Sequence, residues 1–185
     1  EDFWAADTAR QELLIRQFGM MYQGGALWTS MTLAENVAMP LRLYTGLDAR
    51  SAATVAAYKL ALVGLAGFEG FLPAAISGGM AKRAAIARAM ALDPSILFLD
   101  EPSAGLDPIT SADLDVLIRQ LAGDFGITFV VVTHELPSIE TIADRVIMLD
   151  GPTKSILAEG RPKDLRENSD NPWVRRFFNR EASRN

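Results

Sequence analysis

The chain has 185 residues, 49% of them apolar, which suffices for one sizeable core and is near the usual size of one domain. Eighteen Lys and Arg against 23 Asp and Glu give a formal net charge of −5, so the chain lacks the broad basic field that holds a nucleic-acid backbone. The absence of cysteine excludes disulfide scaffolds, thiolate metal sites and thiol nucleophiles, and no apolar run approaches the ~18 residues of a membrane-spanning helix.

Short strands that alternate with helices are predicted along the chain, which indicates an α/β fold with a mostly parallel sheet. The first strand is expected at Ile15 to Tyr22. Helices are predicted at Leu33 to Leu43, Arg50 to Val63, Met80 to Ala91 and Ser111 to Leu121, with breaks at Pro40, Gly46 and Gly64 to Pro73. The apolar runs Ile96 to Leu99, Phe129 to Val132 and Val146 to Leu149 have the length and branching of strands that are buried on both faces of a parallel sheet.

Three parts of the chain follow from this pattern. Residues 1–23 and 92–159 form the α/β core, and residues 24–91 form a helical insert. Residues 160–185 form a polar tail that ends in a short aromatic and basic helix, Pro172 to Arg180.

The run from Ile96 to Leu99 is followed directly by Asp100 and Glu101, which places two carboxylates at the C-terminal end of a strand, where α/β sheets bind ligands. Successive strand residues point to opposite sides, so one carboxylate can hold Mg²⁺ while the other polarises a water. The alternative is a polar strand end before a proline turn.

Ser77, Gly78 and Gly79 stand at the start of a predicted helix, where free N–H groups, the helix dipole and a hydroxyl suit a phosphate. Taken alone, this segment is better explained as an ordinary Ser N-cap. Lys82, Arg83 and Arg88 in the same helix are interpreted as its solvated face.

Three further features can be explained by a structural role or by a functional one. His134, the one histidine, follows a predicted strand, where it is either structural or a phosphate contact. Gln23 is either a surface amide or a site residue at the passage from strand to helical insert. Ser103 to Pro108 is typical of a Gly-Pro turn followed by a helix N-cap at Asp107.

Taken in order, Gln23, Ser77-Gly78-Gly79, Asp100-Glu101, Ser103 to Asp107 and His134 resemble the nucleotide-binding subunit of ABC transporters over nearly the whole chain. The resemblance implies a P-loop NTPase-like ABC ATPase core with a helical subdomain, and ATP and Mg²⁺ as cofactors. In the family, these elements are the Q-loop, the signature motif, Walker B with its catalytic Glu, the D-loop and the switch His.

Roles near the metal are implied by this resemblance. Asp100 would hold Mg²⁺ through water, Glu101 would polarise the attacking water, and His134 would contact the γ-phosphate. Gln23 would link the metal site to transmembrane permease subunits. The protein would therefore lie on the cytoplasmic face of the inner or plasma membrane as a peripheral subunit.

Roles at a dimer interface are implied as well. Ser77, Gly78 and Gly79 would close over ATP held by a second subunit in a head-to-tail homodimer. Asp107 would cross the same interface, so hydrolysis would be tied to dimer closure.

A narrower resemblance is to the ATPases of Mla-type and Mce-associated lipid transporters. It rests on Met80, where most relatives have Gln, and on the segments Tyr22 to Leu27, Leu33 to Leu41 and Asn171 to Phe178. It implies phospholipid or another hydrophobic cargo, and a Mce-type substrate-binding protein as a further partner.

One family element is missing from the sequence, namely the loop Gly-x-x-x-x-Gly-Lys-Ser/Thr that cradles phosphates. Each of the four lysines, at positions 59, 82, 154 and 163, follows a residue other than Gly. We therefore expect an N-terminally truncated form that does not hydrolyse ATP alone and whose sheet exposes apolar edges. The alternatives are a non-catalytic interaction module derived from such an ATPase and a soluble ABC ATPase of DNA repair or translation.

Overall fold

The computed structural model describes residues 2–181, and its contacts divide the chain into two units, the first ending at Thr133 and the second beginning at His134. The helices of the first unit are α1 (Thr8–Ile15), α2 (Leu33–Tyr44), α3 (Ala49–Leu62), α4 (Gly78–Ala89) and α5 (Pro108–Phe125), with short 3₁₀ helices at Phe3–Ala5 and Pro73–Ala75. Its strands are β1 (Phe18–Met21), β2 (Ile96–Asp100) and β3 (Thr128–Val132). The second unit comprises α6 (Leu136–Ile142), β4 (Val146–Asp150), β5 (Ser155–Gly160), α7 (Pro162–Asn168) and α8 (Pro172–Asn179).

The sheet of the first unit is parallel, with strand order β1-β2-β3. Met21 lies opposite Leu99, and Asp100 lies opposite Val132, so the C-terminal ends of the three strands meet at one edge. The α/β architecture with a parallel sheet predicted from the sequence is therefore confirmed.

One face of this sheet is covered and the other is exposed. α4 packs against β1 and α5 against β3, which buries Leu97 and Leu99. On the opposite face Met20 is 48% exposed and Val132 59% exposed. The prediction of strands buried on both faces is thus wrong for β3, because within residues 2–181 the apolar side chains of this face remain exposed.

The helices α2, α3 and α4 pack on one another between β1 and β2 in the sequence, in the region where a helical insert is predicted. α2 begins with a capping box formed by Thr32 and Glu35. The predicted break at Pro40 is wrong, because the helix continues to Tyr44. A proline inside a helix costs about 3 kcal/mol, and burial of Val37 and Leu41 on either side offsets this cost.

The first strand is shorter than predicted. Residues up to Ile15 belong to α1, which Asp7 caps by accepting a hydrogen bond from the Arg10 N–H. Only Phe18–Met21 pair with β2. Gly19 contacts α4 so closely that a Cβ would lie 2.3 Å from the carbonyl oxygen of Ala89.

In the second unit β4 pairs antiparallel with β5. The prediction that Val146 to Leu149 is a doubly buried parallel strand is therefore wrong, and Leu149 is 75% exposed. The predicted polar tail contributes to a core instead, because Leu165 and Val174 pack with Met148 in one buried cluster. The short helix predicted at Pro172 to Arg180 is confirmed as α8.

Candidate functional site

Polar residues follow each strand of the parallel sheet at its C-terminal edge. Gln23 follows β1 by two residues, Asp100 ends β2 with Glu101 next, and Thr133 follows β3. The register places these strand ends side by side. This is the edge at which parallel sheets bind ligands.

Glu101 has an unusual backbone conformation, with φ of +46°. Its N–H donates to the Val132 carbonyl oxygen at 2.9 Å, and its carboxylate accepts a hydrogen bond from the Thr133 hydroxyl at 3.5 Å. A left-handed backbone at a non-glycine residue is strained, and such strain persists where the surroundings enforce it, often at functional sites. This conformation and its hydrogen bonds hold the half-buried carboxylate of Glu101 in one position.

Asp100 and Gln23 are both exposed at the same edge. A carboxylate and an amide carbonyl are oxygen donors of the kind that Mg²⁺ accepts while keeping several of its waters. Among residues 2–181, no group of three or more His, Cys, Asp or Glu side chains could enclose a metal ion. An exposed carboxylate and an exposed amide at this edge are the kind of oxygen donors that suit a Mg²⁺ ion that keeps several waters.

Two cations of α4 were not predicted to belong to this site. The Lys82 ammonium donates to the Gln23 carbonyl oxygen at 2.6 Å and to the Glu101 carbonyl oxygen at 3.4 Å. The Arg88 guanidinium donates to the carbonyls of Gly25 at 2.9 Å and Ala26 at 2.6 Å. The interpretation of Lys82 and Arg88 as a solvated face is therefore wrong.

The electrostatic surroundings of these cations differ. Burial lowers the pKa of the Lys82 ammonium, and the carboxylates of Glu101 and Asp100 oppose this shift. Burial also lowers the pKa of the Arg88 guanidinium, with Tyr22 opposing it.

Ser77, Gly78 and Gly79 form the start of α4. Ser77 is the N-cap of the helix, and its hydroxyl oxygen accepts a hydrogen bond from the Met80 N–H at 3.3 Å. The prediction of an ordinary Ser N-cap is therefore confirmed. Ser77 and Gly78 are exposed, whereas Gly79 is buried. A Cβ at Gly79 would lie 2.5 Å from Cγ2 of Thr110 on α5, so close packing requires glycine there.

Asp107 is the N-cap of α5, as predicted. Its carboxylate accepts hydrogen bonds from the N–H groups of Ile109 and Thr110 and from the Thr110 hydroxyl. The Thr110 contacts lower the pKa of Asp107, and the group is exposed. Gly105 in the preceding turn has φ of +81°, which suits glycine.

His134 is exposed and begins the second unit, directly after Thr133. Its predicted contact with a phosphate therefore stays a prediction.

Arg88 also lines a cavity of about 560 Å³. Its lining comes from α1, β1, α2 and α4 and includes Met39, Pro40 and Tyr44. The guanidinium of Arg16 lies 5.4 Å from the centre of the Tyr44 ring. This cavity is distinct from the carboxylates after β2.

No helix within residues 2–181 has both the length and the apolar character needed to cross a membrane.

Comparisons with known sequences give one family. The sequence model of the ABC transporter family matches residues 4–104. The chain is 42% identical over 178 residues to the intermembrane phospholipid transport system ATP-binding protein MlaF of Escherichia coli, covering 96% of this chain and 65% of that protein. It is 43% identical to the probable ribonucleotide transport ATP-binding protein mkl of Mycobacterium tuberculosis, covering 88% of this chain and 44% of that protein. The chain thus spans about two thirds or less of the length of these relatives.

Solved structures agree in fold. The ATP-binding cassette MJ0796, in a dimeric post-hydrolysis state bound to ADP and Pi, aligns with a TM-score of 0.71 at 29% identity, covering 85% of this chain and 68% of that chain. CbiO1 of Clostridium perfringens, part of the ABC transporter complex cbiONQ, aligns with a TM-score of 0.78 at 22% identity, covering 88% of this chain and 64% of that chain. The match over more than half of the sequence, together with the strand-end carboxylates, shows that the chain belongs to the ABC transporter family of ATP-binding proteins.

Proposed function

We propose that this chain contributes catalytic residues to the ATP-hydrolysing site of an ABC transporter subunit, whose complete form performs the reaction. The observation that carries the proposal is the turn after β2, where Glu101 is fixed in a left-handed conformation beside the exposed Asp100. A general base must be in position before the reaction. Glu101 is positioned by the hydrogen bond that its N–H donates to Val132 and by the one that its carboxylate accepts from the Thr133 hydroxyl.

In this proposal Glu101 polarises the water that attacks the γ-phosphate of ATP. Asp100 and Gln23 hold Mg²⁺, which neutralises phosphate charge when it is bound. His134 contacts the γ-phosphate from its position after β3.

The partner at the nucleotide is a second copy of the subunit in a head-to-tail dimer. Ser77 and Gly78 are exposed at the N-terminus of α4, a position that favours an anion through its free N–H groups and dipole. Asp107 is exposed at the N-terminus of the neighbouring α5. Both termini are therefore accessible to a partner that brings ATP.

The membrane partners are permease subunits, which we place at the cavity between α1, β1, α2 and α4. Its lining is mostly apolar, and Arg88 connects it to the loop after Gln23. A permease segment in this cavity would contact the elements that support the metal site. The subunit would then lie peripherally on the cytoplasmic face of the inner or plasma membrane.

The cargo we propose is a phospholipid or another hydrophobic molecule, with a Mce-type protein as a further partner. Support comes from the 42% identity to MlaF, whose name states phospholipid transport. The mkl proteins, at similar identity, are named for ribonucleotide transport. The resemblance of Met80 and of the segment Asn171 to Phe178 to Mla-type ATPases favours the lipid cargo.

The test is Glu101→Gln in the complete transporter, purified with its membrane subunits. We expect ATP hydrolysis to fall by roughly 10²–10⁴-fold, the usual contribution of a general base, with ATP binding retained. Glu167→Gln on the exposed surface of α7 is the matched control and should hydrolyse ATP normally. Unchanged turnover in Glu101→Gln would refute the assigned role.

The second candidate function is a non-catalytic interaction module. It is favoured by one observation, namely that the 185 residues contain no Gly-x-x-x-x-Gly-Lys-Ser/Thr segment. We propose accordingly that these residues do not hydrolyse ATP by themselves. Reading the gene upstream of the Glu1 codon separates the candidates, because an in-frame phosphate-binding loop supports the ATPase and a start codon without one supports the module.

A further inference from the structure

Lys82 occupies a distinctive place between the two strand ends that carry the proposed site. Its ammonium lies within hydrogen-bonding distance of the main-chain carbonyls of Gln23 and Glu101, 59 and 19 residues away in sequence. The side chain is half-buried, and the carboxylates of Asp100 and Glu101 act on its charge. One cation therefore joins the end of β1 to the turn after β2.

The neighbouring Arg88 shows what Lys82 adds. Arg88 also donates to the loop after β1, at the carbonyls of Gly25 and Ala26. That loop is thus attached to α4 without Lys82. Of these two cations, only Lys82 also reaches the turn after β2, where its ammonium lies 3.4 Å from the carbonyl oxygen of Glu101.

That contact acts on a strained residue. The left-handed backbone of Glu101 is maintained on one side by its N–H bond to Val132. On the other side its carbonyl oxygen lies 3.4 Å from the Lys82 ammonium, a distance at which the positive charge still attracts the carbonyl dipole although the hydrogen bond is long. The N–H and the carbonyl of the same residue are therefore fixed from two different elements, β3 and α4.

We propose that Lys82 is a positioning residue that holds Glu101, through its main-chain carbonyl, in the conformation required for hydrolysis. The inference rests on the proposed function, because Glu101 must be the general base for its position to matter. Lys82 also stands one helical turn after Gly78. A displacement of the start of α4 by a partner would thus move the ammonium that holds Glu101.

The experiment compares Lys82→Met, Lys82→Arg and Lys163→Met in the complete transporter, with Glu101→Gln alongside. Methionine removes the charge and keeps an unbranched side chain, arginine restores a cation, and Lys163 is an exposed lysine on α7. We expect Lys82→Met to lower kcat about 10- to 100-fold, the scale of a small misplacement of a reacting group, with KM for ATP changed less than about 2-fold. Lys82→Arg should recover much of the loss, and Lys163→Met should be normal.

Hydrogen exchange supplies a readout that does not depend on turnover. The amide proton of Glu101, which is bonded to Val132, should exchange faster in Lys82→Met than in Lys163→Met. The amides of Gly25 and Ala26 should change less, because Arg88 still holds that loop.

Each outcome decides between the two proposals. If Glu101→Gln is inactive and Lys82→Met hydrolyses ATP normally, the inference on Lys82 is overturned and the proposed function stands. If Glu101→Gln retains native turnover, the proposed function fails and the inference falls with it. If Lys82→Met and Lys82→Arg lower the melting temperature alike and raise KM, Lys82 serves folding, which also overturns the inference.

Discussion

Gly79 illustrates how a single residue serves both packing and a proposed site. Its position at the start of α4 belongs to the segment that we expect to face a nucleotide. The structure gives an independent reason for glycine, because a Cβ would overlap Cγ2 of Thr110 at 2.5 Å. The two requirements can be separated by experiment.

We predict that Gly79→Ala destabilises the fold by about 1–3 kcal/mol, the usual cost of overpacking. Urea unfolding measures the change. The control is Gly78→Ala, whose Cβ would lie 3.7 Å from Leu106, an ordinary contact. Combining Gly79→Ala with Thr110→Ser removes the clashing methyl group and should restore most of the stability. A double variant as unstable as Gly79→Ala would contradict this explanation.

At the scale of elements, Asn36 fixes the start of α2 against the loop before it. The side chain is fully buried. Its Oδ1 accepts a hydrogen bond from the Trp28 N–H at 2.7 Å, and its Nδ2 donates to the carbonyls of Trp28, Met31 and Thr32. One amide therefore satisfies several main-chain groups of the loop that follows Gln23.

We predict that Asn36→Ala destabilises the fold by about 1–3 kcal/mol, because buried polar groups of the loop lose their partner. Asn36→Asp should cost more, since a carboxylate oxygen would then face the carbonyls that Nδ2 now binds. Asn179→Ala, which removes an exposed amide on α8, is the control and should change stability by less than about 0.5 kcal/mol. Equal urea midpoints for the Ala and Asp variants would refute the assigned pattern of donors.

The strands show which features of the elements can be predicted from sequence patterns and which cannot. β2 and β3 were located to within one residue, because short branched apolar runs between helices are distinctive. The antiparallel pairing of β4 could not be predicted, since an apolar run carries no information about the direction of the strand beside it. Similarly, the apolar residues before Gln17 continue the pattern of β1, and only the Asp7 cap indicates that they are helical.

The residues of the proposed site also divide into those that the sequence could identify and those that it could not. Asp100, Glu101, Ser77 and Asp107 could be identified because each lies at a strand end or helix start that the sequence marks. The contacts of Lys82 and Arg88 could not, because they join residues about 60 positions apart along the chain. Helical periodicity alone does not distinguish a solvated cation from one that binds a distant loop.

At the scale of the whole molecule, the exposed face of the parallel sheet is the feature that we expect to govern behaviour in solution. Met20, Val130 and Val132 lie on this face, and each is exposed by 41% or more. Apolar side chains that are contiguous across neighbouring strands favour association in a way that scattered ones do not. We therefore predict that the 185-residue chain self-associates when purified alone.

The test is Val130→Thr together with Val132→Thr, which keeps branching at Cβ, and thus the preference for a strand, while making the face more polar. Sedimentation velocity over a range of concentrations should show a smaller associated fraction for this variant than for the native chain. Leu13→Gln, which removes an exposed apolar side chain from α1, is the control and should associate as the native chain does. If the two variants associate equally, the surface responsible lies elsewhere, because only the threonine pair changes the apolar face of the sheet.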